Sequence, residues 1–162
     1  LKDSNATASR SDHPILDIPE FAIYSVANGR CSMKTVTAAI IFRDGKVLLT
    51  RRAPNQKMPG WWEFPGGKLE DGETLAQCLE RELAEELGVC AAVTDVLTNS
   101  EYHYDHGSIN LVAMRTTIVD GDLKLTVHDR ADWVSPERLL DYKLAPADIP
   151  IANFIKGRSG VI

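Results

Sequence analysis

Thr74, followed three residues later by Gln77, and Gly88 bracket a stretch in which Leu75, Ala76, Leu79, Leu83 and Leu87 recur at helical spacing. A capping box opens such a segment and glycine closes it, so the pattern predicts a helix ending at Gly88. This helix constrains the fold because its apolar stripe covers one face only and needs a flat partner. The flanking sequence supplies sheet. Residues 35–42 form a β-branched run, Asp44-Gly45 is a hairpin turn signal, and residues 46–50 return. Further strands are expected at 89–97, 110–118 and 123–127, with turns at Asp105-His106-Gly107 and Asp120-Gly121. Ser135 is placed to cap a helical turn that has Pro136 at its first position, and residues 147–156 suit a last helix. The order of strands, helix, strands and helices predicts an α/β (α+β) domain, a mixed β-sheet sandwiched between helices.

A chain of 162 residues with 44% hydrophobic side chains can bury one ordinary core. Residues 33–162 are expected to form that domain, behind a leader over 1–32 that is expression-derived or flexible. Within the leader, Ile15-Leu16-Asp17-Ile18 and Phe21-Ala22-Ile23-Tyr24 carry the pattern of an edge strand. Residues 53–67 hold Pro54, Pro59, Pro65 and three glycines, which predicts a surface loop with no regular element. The net charge of -5 without a Lys/Arg run excludes a broad basic face for nucleic acid polymers or anionic membranes. Three cysteines without a C-x-x-C pair suit a reducing compartment, and Cys78 reads as a small buried side chain. No apolar run approaches the roughly 20 residues of a membrane span. A cytoplasmic protein, monomer or homodimer, is the expectation.

On the predicted helix, Glu82, Glu85 and Glu86 stand at i, i+3 and i+4, which places three carboxylates within about 100° of arc. The leucines occupy the neighbouring arc, so the carboxylates fall at the edge of the buried surface. Like charges there repel, and a hard divalent cation with oxygen ligands, magnesium or manganese, would reverse the penalty. An ordinary solvated acidic face remains the alternative. The preceding Phe64-Pro65-Gly66-Gly67-Lys68 favours the metal, because such a loop can offer a carbonyl to a cation and a lysine to a phosphate.

Gly67, Glu73 and the run Arg81-Glu82-Leu83-Ala84-Glu85-Glu86-Leu87-Gly88-Val89 fill every fixed position of a 23-residue box. Together with Leu48-Leu49-Thr50-Arg51-Arg52 and Trp62-Glu63-Phe64-Pro65-Gly66-Gly67, the chain resembles the Nudix hydrolases, in their MutT-like branch, from Met33 onward. The resemblance implies a Mg²⁺-dependent enzyme, with Mn²⁺ as the alternative ion, that hydrolyses a nucleoside triphosphate to a monophosphate and pyrophosphate. It implies that Gly66 (through its carbonyl), Glu82, Glu85 and Glu86 bind metal, and that Glu82 takes a proton from the attacking water. Arg81 would orient the glutamates, Glu73 would support the loop and helix start, and Arg52 and Lys68 would meet phosphate. Related enzymes often carry a further glutamate six residues before the tryptophan at Trp133, where this chain has Val127, followed by His128 and Asp129. No fourth carboxylate is assigned.

The segment Tyr142-Lys143-Leu144-Ala145-Pro146-Ala147-Asp148-Ile149-Pro150 resembles the base-contacting stretch of that branch. An ionised Asp148 only accepts hydrogen bonds and fits the two adjacent donors of guanine or 8-oxoguanine. If burial protonates it, the same side chain can pair with cytosine. The expected substrate is therefore 8-oxo-dGTP or a related triphosphate, with CTP or 5-methyl-dCTP as the alternative. Hydrolysis of ADP-ribose and a non-catalytic recognition module stand behind these, as does a plain helix-capping role for Asp148. Trp61, Tyr102 and Tyr104 are candidate stacking partners for a base, and Trp62 reads as structural.

Overall fold

The computed structural model describes residues 33–105 and 107–158; the leader over 1–32 with its edge-strand pattern, and His106 of the expected turn, lie outside the described residues. Strand β1 (Lys34–Arg43) turns through Asp44 and Gly45, at φ 50° and 71°, into β2 (Lys46–Arg52). Two consecutive positive φ values give the turn the twist that an antiparallel hairpin needs. Helix α1 (Leu75–Leu87) is followed by β4 (Cys90–Tyr104), which pairs antiparallel with β5 (Gly107–Asp120), and β5 runs parallel to β1. Strand β6 (His128–Val134) pairs with β2, and α2 (Ile149–Lys156) closes the described chain. With the short β3 (Trp62–Glu63), also on β2, the strands form a mixed six-stranded sheet.

Strand alternation sends neighbouring residues to opposite faces of the sheet. Ala38, Ile40, Val47, Leu49, Leu111 and Ala113 pack with Leu139, Ile151 and Ile155 on the α2 side. Ala39, Ile41, Leu48, Val112 and Met114 pack with Leu79, Leu83 and Leu87 on the α1 side. The sandwich is as expected. Those three leucines are fully buried, each worth roughly 1.5–3 kcal/mol, so tertiary packing holds α1 more than helix propensity does. The ends of α1 are also as read: Thr74 and Gln77 exchange both bonds of the capping box, and Gly88 takes the left-handed conformation at φ 65°.

Four expectations are corrected. The 53–67 loop contains β3, and Trp62 and Phe64 are buried, because the Trp62 N–H donates to the Lys143 carbonyl and its ring meets Tyr142 edge-on at 4.8 Å. Residues 123–127 are not a strand. The backbone N–H groups of Lys124 and Thr126 donate to the carbonyls of Leu87 and Glu86, so this segment serves the open end of α1, and the strand beside β2 starts only at His128. Pro136–Asp141 is a 3-10 turn, and Ser135 does not cap it with its side chain. The last α-helix starts at Ile149, after a 3-10 turn at Pro146–Asp148. Among the described residues, no helix is long and apolar enough to cross a membrane.

Candidate active site

The glycine loop is fastened to β1 before it reaches α1. Ala39 and Thr37 donate their N–H groups to the carbonyls of Pro65 and Gly67, on either side of Gly66. Gly66 sits at φ 152°, and a side chain there would collide with the Thr37 carbonyl. At Gly67 a Cβ would run into the carboxylate of Glu82. Gly66 does not tolerate a larger residue because it lies against backbone, whereas a side chain at Gly67 would displace the Glu82 carboxylate, a candidate ligand.

Arg81 organises the α1 wall. Its Nε and Nη2 lie 2.7 and 3.0 Å from the two oxygens of Glu73, Nη1 lies 3.0 Å from Glu82 Oε1, and Glu85 Oε2 is 3.5 Å away. The fork onto Glu73 holds that carboxyl at about 2, well below the usual carboxylate range. Glu73 also accepts from the Glu70 N–H, so it braces the loop as expected. Glu82 is largely covered, whereas the Glu85 side chain is 60% exposed. Glu86 is pushed up to about 7, first by burial, with His128 acting in the opposite direction, and its Oε2 is buried without a hydrogen-bond partner.

Across a cleft lined by Arg52, Glu63, Gly66, Glu86, Val127 and His128 stands a second polar group. Arg52 Nε is 2.8 Å from Glu63 Oε2, with Nη2 on the same oxygen, and Nη1 reaches the Lys57 carbonyl at 3.1 Å. Glu63 Oε1 is 3.1 Å from His128 Nε2. Glu63 is a site residue with only a weak local signal, an acidic residue between Trp62 and Phe64, two aromatics that are buried. Asp129, by contrast, forms an exposed ion pair with Arg51 at 2.8 Å. Lys68 is exposed and outside the cleft lining, while its carbonyl accepts from Arg81 and Cys78. Cys78 is buried as expected.

Asp148 is 4% exposed, and its Oδ1 accepts from the Phe64 N–H at 2.9 Å. It does not cap α2 with its side chain, so that reading falls. Burial first, and then the nearby Glu63 charge, pushes its carboxyl up to about 8. Tyr104 lies within the field of Asp148 and Arg52, and its ring is 4.6 Å from that of Tyr102. Trp61 carries Lys143 Nζ at 4.4 Å above its ring, and Trp62 is structural.

Among the described residues, no three His, Cys, Asp or Glu side chains converge closely enough to form a finished metal site. The donor set nevertheless suits a hard cation: carboxylates on one helix face, one of them with an orphaned buried oxygen, beside a tightly held glycine carbonyl. Glu85 is exposed and, among the described residues, pairs only with Arg81, at 3.5 Å.

The NUDIX domain family matches residues 33–155. The chain is 44% identical over 119 residues to the CTP pyrophosphohydrolase of Escherichia coli K12, covering 74% of this chain and 88% of the relative. It is 36% identical over 116 residues to putative 8-oxo-dGTP diphosphatase 2 of Mycobacterium tuberculosis, covering 70% and 81%. The solution structure of the E. coli ORF135 protein superposes with a TM-score of 0.71 at 40% identity, covering 80% of this chain and 93% of that one.

Proposed function

The chain belongs to the NUDIX family, and on that premise we propose that it is a divalent-metal-dependent pyrophosphohydrolase that takes cytidine triphosphates in preference to guanine ones. The observation that carries the base preference is Asp148, buried within the field of Glu63 and Arg52, with one oxygen committed to the Phe64 N–H. A carboxyl held protonated at neutral pH offers one donor and one acceptor. That pair complements N3 and the amino group of cytosine. An ionised Asp148 would have suited guanine, and burial argues against it. The 44% identity to a CTP pyrophosphohydrolase supports the same direction. The 36% relative named as an 8-oxo-dGTP diphosphatase favours the second reading, 8-oxo-dGTP.

Glu82, Glu85, Glu86 and the Gly66 carbonyl would hold Mg²⁺ or Mn²⁺, which supplies charge stabilisation at the phosphates and a more acidic bound water. The chain's own groups do the rest. Glu82, steadied by Arg81, accepts the proton of the attacking water. Arg52 uses three of its five N–H donors within the protein, which leaves two for phosphate. Lys68, exposed at the rim, serves as a second phosphate cation. Tyr102 and Tyr104 offer ring faces near Asp148 for the base.

Pyrophosphate release from CTP, dCTP, 5-methyl-dCTP, 8-oxo-dGTP, dGTP and ADP-ribose, beside a Glu85→Gln control, tests this. Cytidine nucleotides are expected to lead. A lead for 8-oxo-dGTP selects the second reading, and no cleavage in the panel removes both.

A further inference from the structure

Two buried polar atoms in the cleft lack hydrogen-bond partners, and they come from opposite walls: Glu86 Oε2 on α1 and His128 Nδ1 at the start of β6. Both residues line the cleft together with Gly66. The His128 side chain is 1% exposed, so water does not satisfy it from outside.

Its tautomer follows from its neighbour. Glu63 holds Arg52 through Oε2 and presents Oε1 to His128 Nε2. A carboxylate in an ion pair only accepts, so in the neutral imidazole the ring hydrogen sits on Nε2 and Nδ1 is a bare lone pair. Register fixes the direction. Arg51 pairs with Arg130 but Arg52 pairs with His128, so Asp129 is the extra residue of a β-bulge. The bulge turns Asp129 outward to Arg51 and His128 inward to Glu63.

A buried nitrogen lone pair and a buried carboxyl oxygen, in one cleft and not bonded to each other, call for an electropositive occupant. A histidine whose other ring N–H is held by a carboxylate is the usual form of a metal-ligating histidine. We propose that His128 Nδ1 is a nitrogen ligand of the divalent-cation site, joining Glu86, with Glu63 holding the ring in place. This rests on the metal-dependent reading above and adds to it a ligand that the carboxylate helix does not contain. A mixed oxygen and nitrogen set suits Mn²⁺ better than Mg²⁺, which prefers oxygen alone.

The test is pulsed EPR on untagged full-length protein loaded with Mn²⁺. Wild type is expected to show nitrogen coupling from an imidazole, changed in form by ¹⁵N-histidine labelling. The coupling should vanish in His128→Gln and persist in His103→Gln. Glu63→Gln should weaken Mn²⁺ binding by about 10- to 100-fold, with a smaller change for Mg²⁺. Bound Mn²⁺ without nitrogen coupling in wild type overturns the inference and leaves the hydrolase reading standing, as does coupling that survives in His128→Gln. Failure of wild type to bind Mn²⁺ or Mg²⁺ at all overturns both. The isotope comparison identifies the nitrogen as a histidine's, and coupling that disappears in His103→Gln, which leaves His128 in place, overturns the inference even if His128→Gln fails to fold.

Discussion

The two walls of the cleft are built in opposite ways. The α1 wall takes Glu82, Glu85 and Glu86 from a single helix, and Arg81 ties Glu82 and Glu85 to Glu73. The facing wall assembles Arg52, Glu63, His128 and Asp148 through contacts that span 11 to 84 residues of sequence, mostly in buried surroundings. On the first wall only Glu85 is well exposed, while Glu82 and Glu86 are largely covered and Glu86 keeps an unpartnered oxygen. On the second, charge is matched or suppressed inside the protein, and its geometry is fixed beforehand. On the proposed reading the first wall serves the cation, and on the second Asp148 chooses the base while Arg52 and His128 face the phosphate and the cation.

Substitutions can separate these roles. The largest effect is expected on the first wall: Glu82→Gln should lower kcat by about 10²- to 10⁴-fold with an unchanged far-UV CD spectrum. A loss confined to KM would contradict the division. On the second wall the effect should be a pH dependence. Asp148 has an ordinary value of 3.8 and sits at about 8 when folded. Between those values the folded carboxyl keeps a proton that the unfolded chain releases. Stability is therefore full below about pH 4 and falls as pH rises toward 8, by at most about 1.4 kcal/mol per pH unit. Glu86, raised from 4.5 to about 7, adds a slope of the same sign. Urea midpoints across this window should fall with pH in wild type and flatten in Asp148→Asn, and an unaltered slope would remove Asp148 as the cause. The smallest effect is expected outside both walls. Asp129→Ala breaks an exposed ion pair with Arg51, worth under about 1 kcal/mol, and should leave turnover unaltered in the same pyrophosphate-release assay.

The contrast also explains what could be read from sequence. The α1 wall was legible because helical period, cap and glycine stop are local, and each residue's face follows from its number. Glu63 and the inward turn of His128 were not, because they depend on which strand lies beside β2 and on one extra residue at Asp129. Asp148 was legible as a polar residue of interest whose burial stayed open, since the Phe64 N–H it accepts lies 84 positions away. The 123–127 segment misled for a similar reason. Its alternation is real, with Leu123 and Leu125 packed on the core, but its backbone bonds go to a helix end that no local pattern reveals.

That helix end bears on how the enzyme is tuned. Thr126 donates its N–H to the Glu86 carbonyl, and its hydroxyl reaches the carbonyls of both Glu85 and Glu86; Lys124 secures Leu87. An α-helix advances about 100° per residue, so loosening the last turn by one residue would swing Glu86 from the cleft toward solvent. The 124–126 strap therefore acts as a phase lock on the carboxylates. Changes of length just before β6, 40 residues from Glu86 in sequence, would retime the site without altering one of its residues.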